Sequence, residues 1–342
     1  MRQKLSIVIF ILAGVVIGIL IWLISSLTVT DLIKKAEKIE TTIFTQPPIF
    51  VGFKNIELPD TSAQVFALTI HDEKLLVSFL NSDCIQEYSS SLELIRNICL
   101  LNGESASITG IVVEGDRLYA ANYRTGELHQ ADYKTGTLIN SFGLFPDQRT
   151  SMKLFGVAYR SDAIYVSDSR TNQILAISAI AVPDLKDEDE LLLSFPSAEV
   201  KDFQLSFPTF LAITPDGRLL VSDVGNKEVK AFTCSGRPAH LFEKGGEAKF
   251  AAPMGIAFDN VPSPELIALK DSVFEPSDVY EQGRIHIVDT KLAKVKVFNA
   301  LGKYVLTYGE ELEQPNGIAI DQTRRLIFVA DAKRNGVGLY KY

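Results

Sequence analysis

The sequence predicts an all-β fold, a six-bladed propeller closed into a ring by an N-terminal strand and preceded by one transmembrane helix. Three observations predict it. A unit of about 40 residues with strand-like runs and turn residues recurs from Val65 to the last residue. The first run of most copies is built from small residues of Gly-Ile-Ala type, which suits the crowded centre of a ring. The last copy is one strand short, and an unassigned strand, Ile49-Phe50-Val51-Gly52-Phe53, stands just before the first copy.

The elements follow in chain order. Leu5 to Ile24 carries no charge and is apolar almost throughout. About 20 such residues are needed to cross a bilayer core as a helix. Arg2 and Lys4 would also serve a cleavable signal peptide, but its apolar stretch should be shorter and end in a small-x-small site, for which Ser25-Ser26 is a poor substitute. An uncleaved anchor over residues 1–27 is therefore expected. Lys34, Lys35 and Lys38 lie beyond its other end, so the positive-inside count is divided. The closer pair, Arg2 and Lys4, and the acidic domain that follows favour an N-terminus inside and a propeller outside the cytoplasm. Residues 28–48 read as a stalk. Leu32, Ile33, Ala36 and Ile39 share one face of a short amphipathic stretch, and Gln46-Pro47-Pro48 ends any helix.

Residues 49–342 are assigned to the propeller. The copies open at Val65, Ile108, Leu154, Pro208, Pro253 and Pro315. Each supplies a first strand, a turn, a second strand ending in Ser, Ala or Val followed by Asp, a loop and a third strand. A fourth strand such as Lys303 to Tyr308 follows. Four-stranded units of this period bury their faces only against neighbours. The sixth copy, PNGIAIDQTRRLIFVADAKRNGVGLYKY, lacks the fourth strand, and the strand at Ile49 is expected to complete it. That pairing removes two exposed sheet edges at once.

These residues resemble the NHL repeat family, most clearly in PNGIAIDQTRRLIFVADAKRN, PTFLAITPDGRLLVSDVGNKEV and PMGIAFD with GRIHIVDTKLAKVKVF. The resemblance covers nearly everything after residue 48, with the first and third copies eroded. It implies a six-bladed propeller of a kind that chiefly binds proteins, peptides, glycans or RNA, with a minority acting as lyases or hydrolases. Function must therefore be argued from the site.

Composition narrows the choice. A net charge of −8 disfavours generic nucleic-acid binding. Cys84, Cys99 and Cys234 are the only cysteines, and no CxxC or Cys/His cluster exists, so zinc and covalent haem are not supported and no cofactor is expected. Cys84 and Cys99 fall on adjacent strands of the first blade. Register decides whether they bond, and free buried thiols are the default.

In a propeller, the turns between second and third strands share a face with the links between blades. These turns carry Arg124, Arg170, Lys227, Lys291, Lys333 and Arg334, a rough ring suited to an anionic partner. Against this, an Asp opens most of these turns and is expected to neutralise the base and hold the turn, and the links add Glu199, Asp202, Glu247, Glu310, Glu311 and Glu313. Insertions at 178–190 and 260–282 fall on the opposite face, where they would be either a binding surface or tolerated loop growth.

Catalysis has weaker support. His71, His129, His240 and His286 fall on different strands of different blades and should not converge. The resemblance implies, for lactonase-like propellers, a Glu, Asn and Asp around a metal. Asn316 is similar to one such ligand, but no Glu opens the first blade. The expectation is a membrane-anchored, non-catalytic binding or scaffold module for a protein, peptide or polymer, its ligand-facing candidates being the six cations above and Asn316. The alternative is a metal-dependent lactonase- or lyase-like enzyme with its site at the central channel.

Overall fold

The computed structural model describes residues 47–101, 106–143, 152–179, 191–260 and 283–342. The expected anchor and stalk, and nearly all of both insertions, lie outside the described residues. No helix of the described residues is long and apolar enough to cross a membrane.

The described chain forms six four-stranded antiparallel sheets. Strand β1 (Ile49–Asn55) comes first. Blade 1 holds β2 (Gln64–His71), β3 (Lys74–Leu80), β4 (Cys84–Tyr88) and β5 (Leu94–Cys99). Blade 2 holds β6 (Ile108–Glu114), β7 (Arg117–Asn122), β8 (Glu127–Asp132) and β9 (Leu138–Gly143). Blade 3 holds β10 (Leu154–Arg160), β11 (Ala163–Asp168), β12 (Gln173–Ser178) and β13 (Leu191–Phe195). Blade 4 holds β14 (Pro208–Ile213), β15 (Arg218–Asp223), β16 (Glu228–Thr233) and β17 (Pro238–Leu241). Blade 5 holds β18 (Pro253–Asp259), β19 (Arg284–Asp289), β20 (Lys294–Asn299) and β21 (Tyr304–Tyr308). Blade 6 holds β22 (Pro315–Asp321), β23 (Leu326–Asp331) and β24 (Gly336–Lys341), and β1 is its fourth strand.

The closure expected from the strand count is present. Strand β1 runs antiparallel to β24 from Ile49↔Lys341 to Asn55↔Gly336. Phe50 packs on Phe53 and Tyr340, with ring centroids 5.2 and 5.4 Å away. The guanidinium of Arg334 sits 4.5 Å over the Phe53 ring.

The first strands pack around the axis so tightly that in four of the six blades a side chain is excluded at one position, which is Ala67 in blade 1 and Phe210 in blade 4. A Cβ on Gly110, Gly156, Gly255 or Gly317 would lie 2.4 Å from a carbonyl oxygen of the next blade's first strand. Hydroxyls join the same neighbours. Ser78 accepts from the Ala67 amide and donates to the Ile108 carbonyl (2.9 Å), and Thr109 donates to the Leu154 carbonyl (3.1 Å). Ser167 and Ser222 bond the Thr209 and Met254 carbonyls in the same way. Arginines join blades further out: Arg160 donates to the Thr214 and Pro215 carbonyls, Arg218 to Ala300, and Arg325 grips buried Asp259 with both terminal nitrogens. Each blade is thus hydrogen-bonded to the next as well as packed on it, which suits a fold whose units cannot bury their faces alone.

Cys84 and Cys99 are direct register partners on β4 and β5, and they form a disulfide. The default of free thiols is corrected here. Adjacent antiparallel strands bring the two sulfurs to the same face of the sheet, a fact of register that spacing along the chain does not contain.

Candidate functional site

The acidic residue that ends the second strand in blades 3 to 6 has a structural task. Asp168, Asp223, Asp289 and Asp331 are fully buried. Asp223 accepts from the Ser206 amide, Asp289 from the amides of Ala251, Ala252 and Leu292, and Asp331 from those of Glu313, Gln314 and Arg334. Asn122 does the same for Ser107, Arg124 and Thr125 in blade 2. Of the two tasks expected of these acids, holding the turn is the one seen, as Asp168, Asp289 and Asp331 accept from turn amides; neutralising the turn cations is corrected, because the buried carboxylates satisfy backbone donors that would otherwise be orphaned. In blade 1 the position is Phe79, and Asp83 instead accepts from the Leu101 amide in the link to blade 2.

The links are also held through their carbonyls. Lys230, nearly buried, bridges Asp223 at 2.7 Å and donates to the Gln204 carbonyl. Lys296 donates to the Glu247 and Lys249 carbonyls, and Gln86 to that of Glu57. The loop face is consequently a rigid platform, and the side chains left over on it are the ones free to bind.

Of the sequence candidates, Arg124, Arg170, Lys227, Lys291, Lys333 and Arg334 are exposed on that face. Lys333 and Arg334 converge on Glu313, at 2.8 and 3.2 Å. The Lys333 hydrogen bond and charge hold that carboxyl below the usual range. Arg124 donates to the Asn81 side chain of the preceding blade. Arg170, Lys227 and Lys291 have no side-chain partner among the described residues. Asn316 is buried at 5 % exposure, near the Thr290 hydroxyl at 3.5 Å.

The channel mouth on this face is aromatic. The first residue of an inner strand pairs with the last of the second strand, as in Leu154↔Asp168 and Pro208↔Asp223, so the next residues lie just inside the loop face. There Phe66, Phe155 and Phe210 form a triangle with centroids 5.5, 5.6 and 5.9 Å apart. Tyr123 and Phe207 set their rings edge-on to Phe155 at 5.7 and 6.1 Å. Lys153 lies 4.9 Å over the Tyr123 ring. Phe207 is 39 % exposed and has φ +53°. A bulky residue in the left-handed region is a backbone outlier. It is held there by its amide donating to Asn172 and its carbonyl accepting from Val224. Behind the triangle, toward the opposite face, the inner strands enclose a channel of about 400 Å³ whose wall includes Leu68, Ile111, Val157, Leu211, Ile256 and Ile318.

Sequence reasoning missed this aromatic mouth. The signal was present: with the copies aligned on their second strands, Phe66 and Phe155 stand where others carry Thr109, Thr209 and Asn316.

The histidines do not meet. His71 faces the edge of Tyr133 at 4.8 Å, and His240 stacks on Phe242 at 5.4 Å. His129 bonds Asn122 and Ser141. His286 is buried between the hydroxyls of Tyr308 (3.0 Å) and Tyr342 (2.8 Å). Burial, with Arg325 and Arg284 nearby, lowers its pKa to about 3. Among the described residues, one group of three ligand-type side chains lies within mutual reach, Asp83 with Cys84 and Cys99, and both its sulfurs are committed to the disulfide.

Comparison with known proteins supports the fold. The NHL repeat family model matches residues 205–232, within and just before blade 4. No curated protein matches the chain. Among solved structures, a catalytically inactive virginiamycin B lyase from Staphylococcus aureus with quinupristin is similar, at 14 % identity and TM-score 0.56. It covers 85 % of this chain and 99 % of its own. A streptogramin B lyase (13 % identity, TM-score 0.54) covers 85 % of this chain and 96 % of its own. The Cps50 (Swd1) β-propeller domain of Myceliophteria thermophila (12 %, 0.55) covers 86 % and 100 %.

Proposed function

We propose that this chain is a non-catalytic binding module whose loop face engages a protein or peptide at the aromatic mouth. The observation that carries the reading is the cluster of Phe66, Phe155, Phe210, Phe207 and Tyr123, which occupies the loop-face mouth of the channel. A channel-centred enzyme needs polar or metal-binding groups converging there. Phenyl rings supply none; exposed Phe207 and half-buried Tyr123, seated on the buried Phe66, Phe155 and Phe210, have the aromatic composition of a binding hot spot. The surrounding cations Arg124, Lys153 and Arg170 favour a partner surface bearing acidic groups.

The module is presented by the anchor at Leu5–Ile24, with its propeller outside the cytoplasm. The Cys84–Cys99 disulfide supports that side of the membrane, because such bonds persist in oxidising compartments. Protease treatment of intact cells tests it: a propeller that survives until the membrane is opened would refute the orientation.

The binding reading is tested by crosslinking capture from solubilised membranes, comparing the wild-type chain with Phe207→Asp. A partner retained equally by both would overturn the assignment to the mouth. Calorimetric titration with calcium and zinc addresses the enzyme alternative, which would gain from tight stoichiometric binding that Asn316→Ala abolishes.

A further inference from the structure

On the loop face, between the outer strands of blade 4 and the link to blade 5, lies a second concavity of about 200 Å³. Its apolar wall is Val229, Phe242, Ala248 and Phe250, all from the buried core. That wall is rigid. Phe242 and Phe250 both pack on Phe298 with centroids 5.4 Å away, and Lys296 beneath them pins the carbonyls of Glu247 and Lys249. The rim carries Lys227, Lys244 and Lys249 against Glu228 and Glu243.

The two acids are occupied. Glu228 pairs with Lys244 at 2.8 Å, and Glu243 accepts from the Tyr304 amide. Lys227 and Lys249 have no side-chain partner among the described residues, and both are exposed. The concavity thus pairs a preformed apolar wall with two spare cations, in a chain whose net charge is −8. Rigid walls lower the ordering cost of binding.

We infer that this concavity takes the C-terminal residue of an extended peptide. The apolar side chain would lie against Phe242 and Phe250, and the terminal carboxylate would meet Lys227 and Lys249. A volume near 200 Å³ admits about one large residue, and the terminal residue alone brings an apolar side chain and a carboxylate on the same Cα. An internal Asp or Glu spends its side chain on the charge and leaves the wall uncovered. Capture of a terminal carboxylate is a general mode of peptide recognition. The inference adds to the loop-face reading and shares no residue with the aromatic mouth.

The test uses the full chain in detergent and fluorescein-labelled Gly-Ser-Gly-Ser-Leu, read by polarisation. Three peptides are compared: the free acid, its C-terminal amide, and an amide with Glu as the penultimate residue. Saturable binding of the free acid is expected, weakened about tenfold by amidation, as loss of charge-assisted bonds implies. The double variant Lys227→Gln, Lys249→Gln should lose the same factor, whereas Lys341→Gln, exposed on β24 of blade 6, should change nothing. Equal binding of acid and amide, no saturable binding of either, or preference for the internal Glu would each overturn the inference. Loss in Phe207→Ala would move the site to the aromatic mouth, a result distinct from failure of the mouth itself, which is read by partner capture.

Discussion

Deleting residues 49–55 should unmake the ring rather than trim it. Strand β1 contributes six registered pairs with β24. Ladder bonds contribute about 1 kcal/mol net each, so the lost pairing is worth roughly 5 kcal/mol. Phe50 and Phe53 are half-buried against each other and Tyr340. Truncating a fully buried Phe costs about 3–5 kcal/mol, so each of these accounts for about 2 kcal/mol. The total, about 9 kcal/mol, compares with about 5–15 kcal/mol for a whole domain. The deletion should therefore abolish a cooperative transition or lower Tm by more than about 15 °C. Phe53→Ala alone should lower it by about 4 °C, using a shift of about 2 °C per kcal/mol for a domain of this size. Thermal melts followed by circular dichroism, with urea titration to compare slopes, provide the assay. If the deleted chain melts cooperatively within about 3 °C of the intact one, the closure carries no weight and the reasoning fails.

Three further outcomes are expected. Replacing Cys84 and Cys99 with Ser opens a bridge of sequence separation 15 and should cost about 3 kcal/mol, matched by adding reductant to the wild type in urea unfolding. Asp223→Ala strands the nearly buried Lys230 without its carboxylate and should cost about 3–5 kcal/mol, only part of it recovered when Lys230→Met is added, because the Ser206 amide and Gln204 carbonyl stay without these partners. His286 is neutral when folded, with a pKa lowered to about 3 against an unfolded value near 6.5, so between these pH values the unfolded chain binds the extra proton. Stability should accordingly be unaffected by this group above pH ~6.5 and fall by up to about 1.4 kcal/mol per pH unit below it. His286→Gln should flatten that slope in urea titrations between pH 6.5 and 4, and an unchanged slope would refute the assignment.

The sequence alone determined the blades, because each is a run of local strands and turns whose period survives substitution. The starts at Val65, Ile108, Leu154, Pro208, Pro253 and Pro315 fall on or within one residue of the observed first strands. It also determined the closure, since a count of strands shows which copy is incomplete and where a spare strand lies. The small first-strand residues were legible for the same local reason, and the structure adds their cause: the next blade's carbonyl leaves no room for a Cβ at Gly156 or Gly317.

What tertiary structure decided is whatever depends on a position being repeated around an axis. Phe66, Phe155 and Phe210 are far apart along the chain, and each looks like ordinary core within its own blade. They meet because the first strands converge on the axis: Phe66 and Phe155 stand at the same step of their strands, and Phe210 one step further, where Gly156 stands in the preceding blade. The strand-ending Asp was legible as a conspicuous residue, but its role was decided by burial, which turned its carboxylate toward backbone amides. Lys333 and Arg334 were legible as cations, yet the link from blade 5 brings Glu313 to them, while Lys227 and Lys249 have no side-chain partner among the described residues and line an apolar wall. Charge can be counted along a chain; which charge is spent is set by neighbours that only folding supplies.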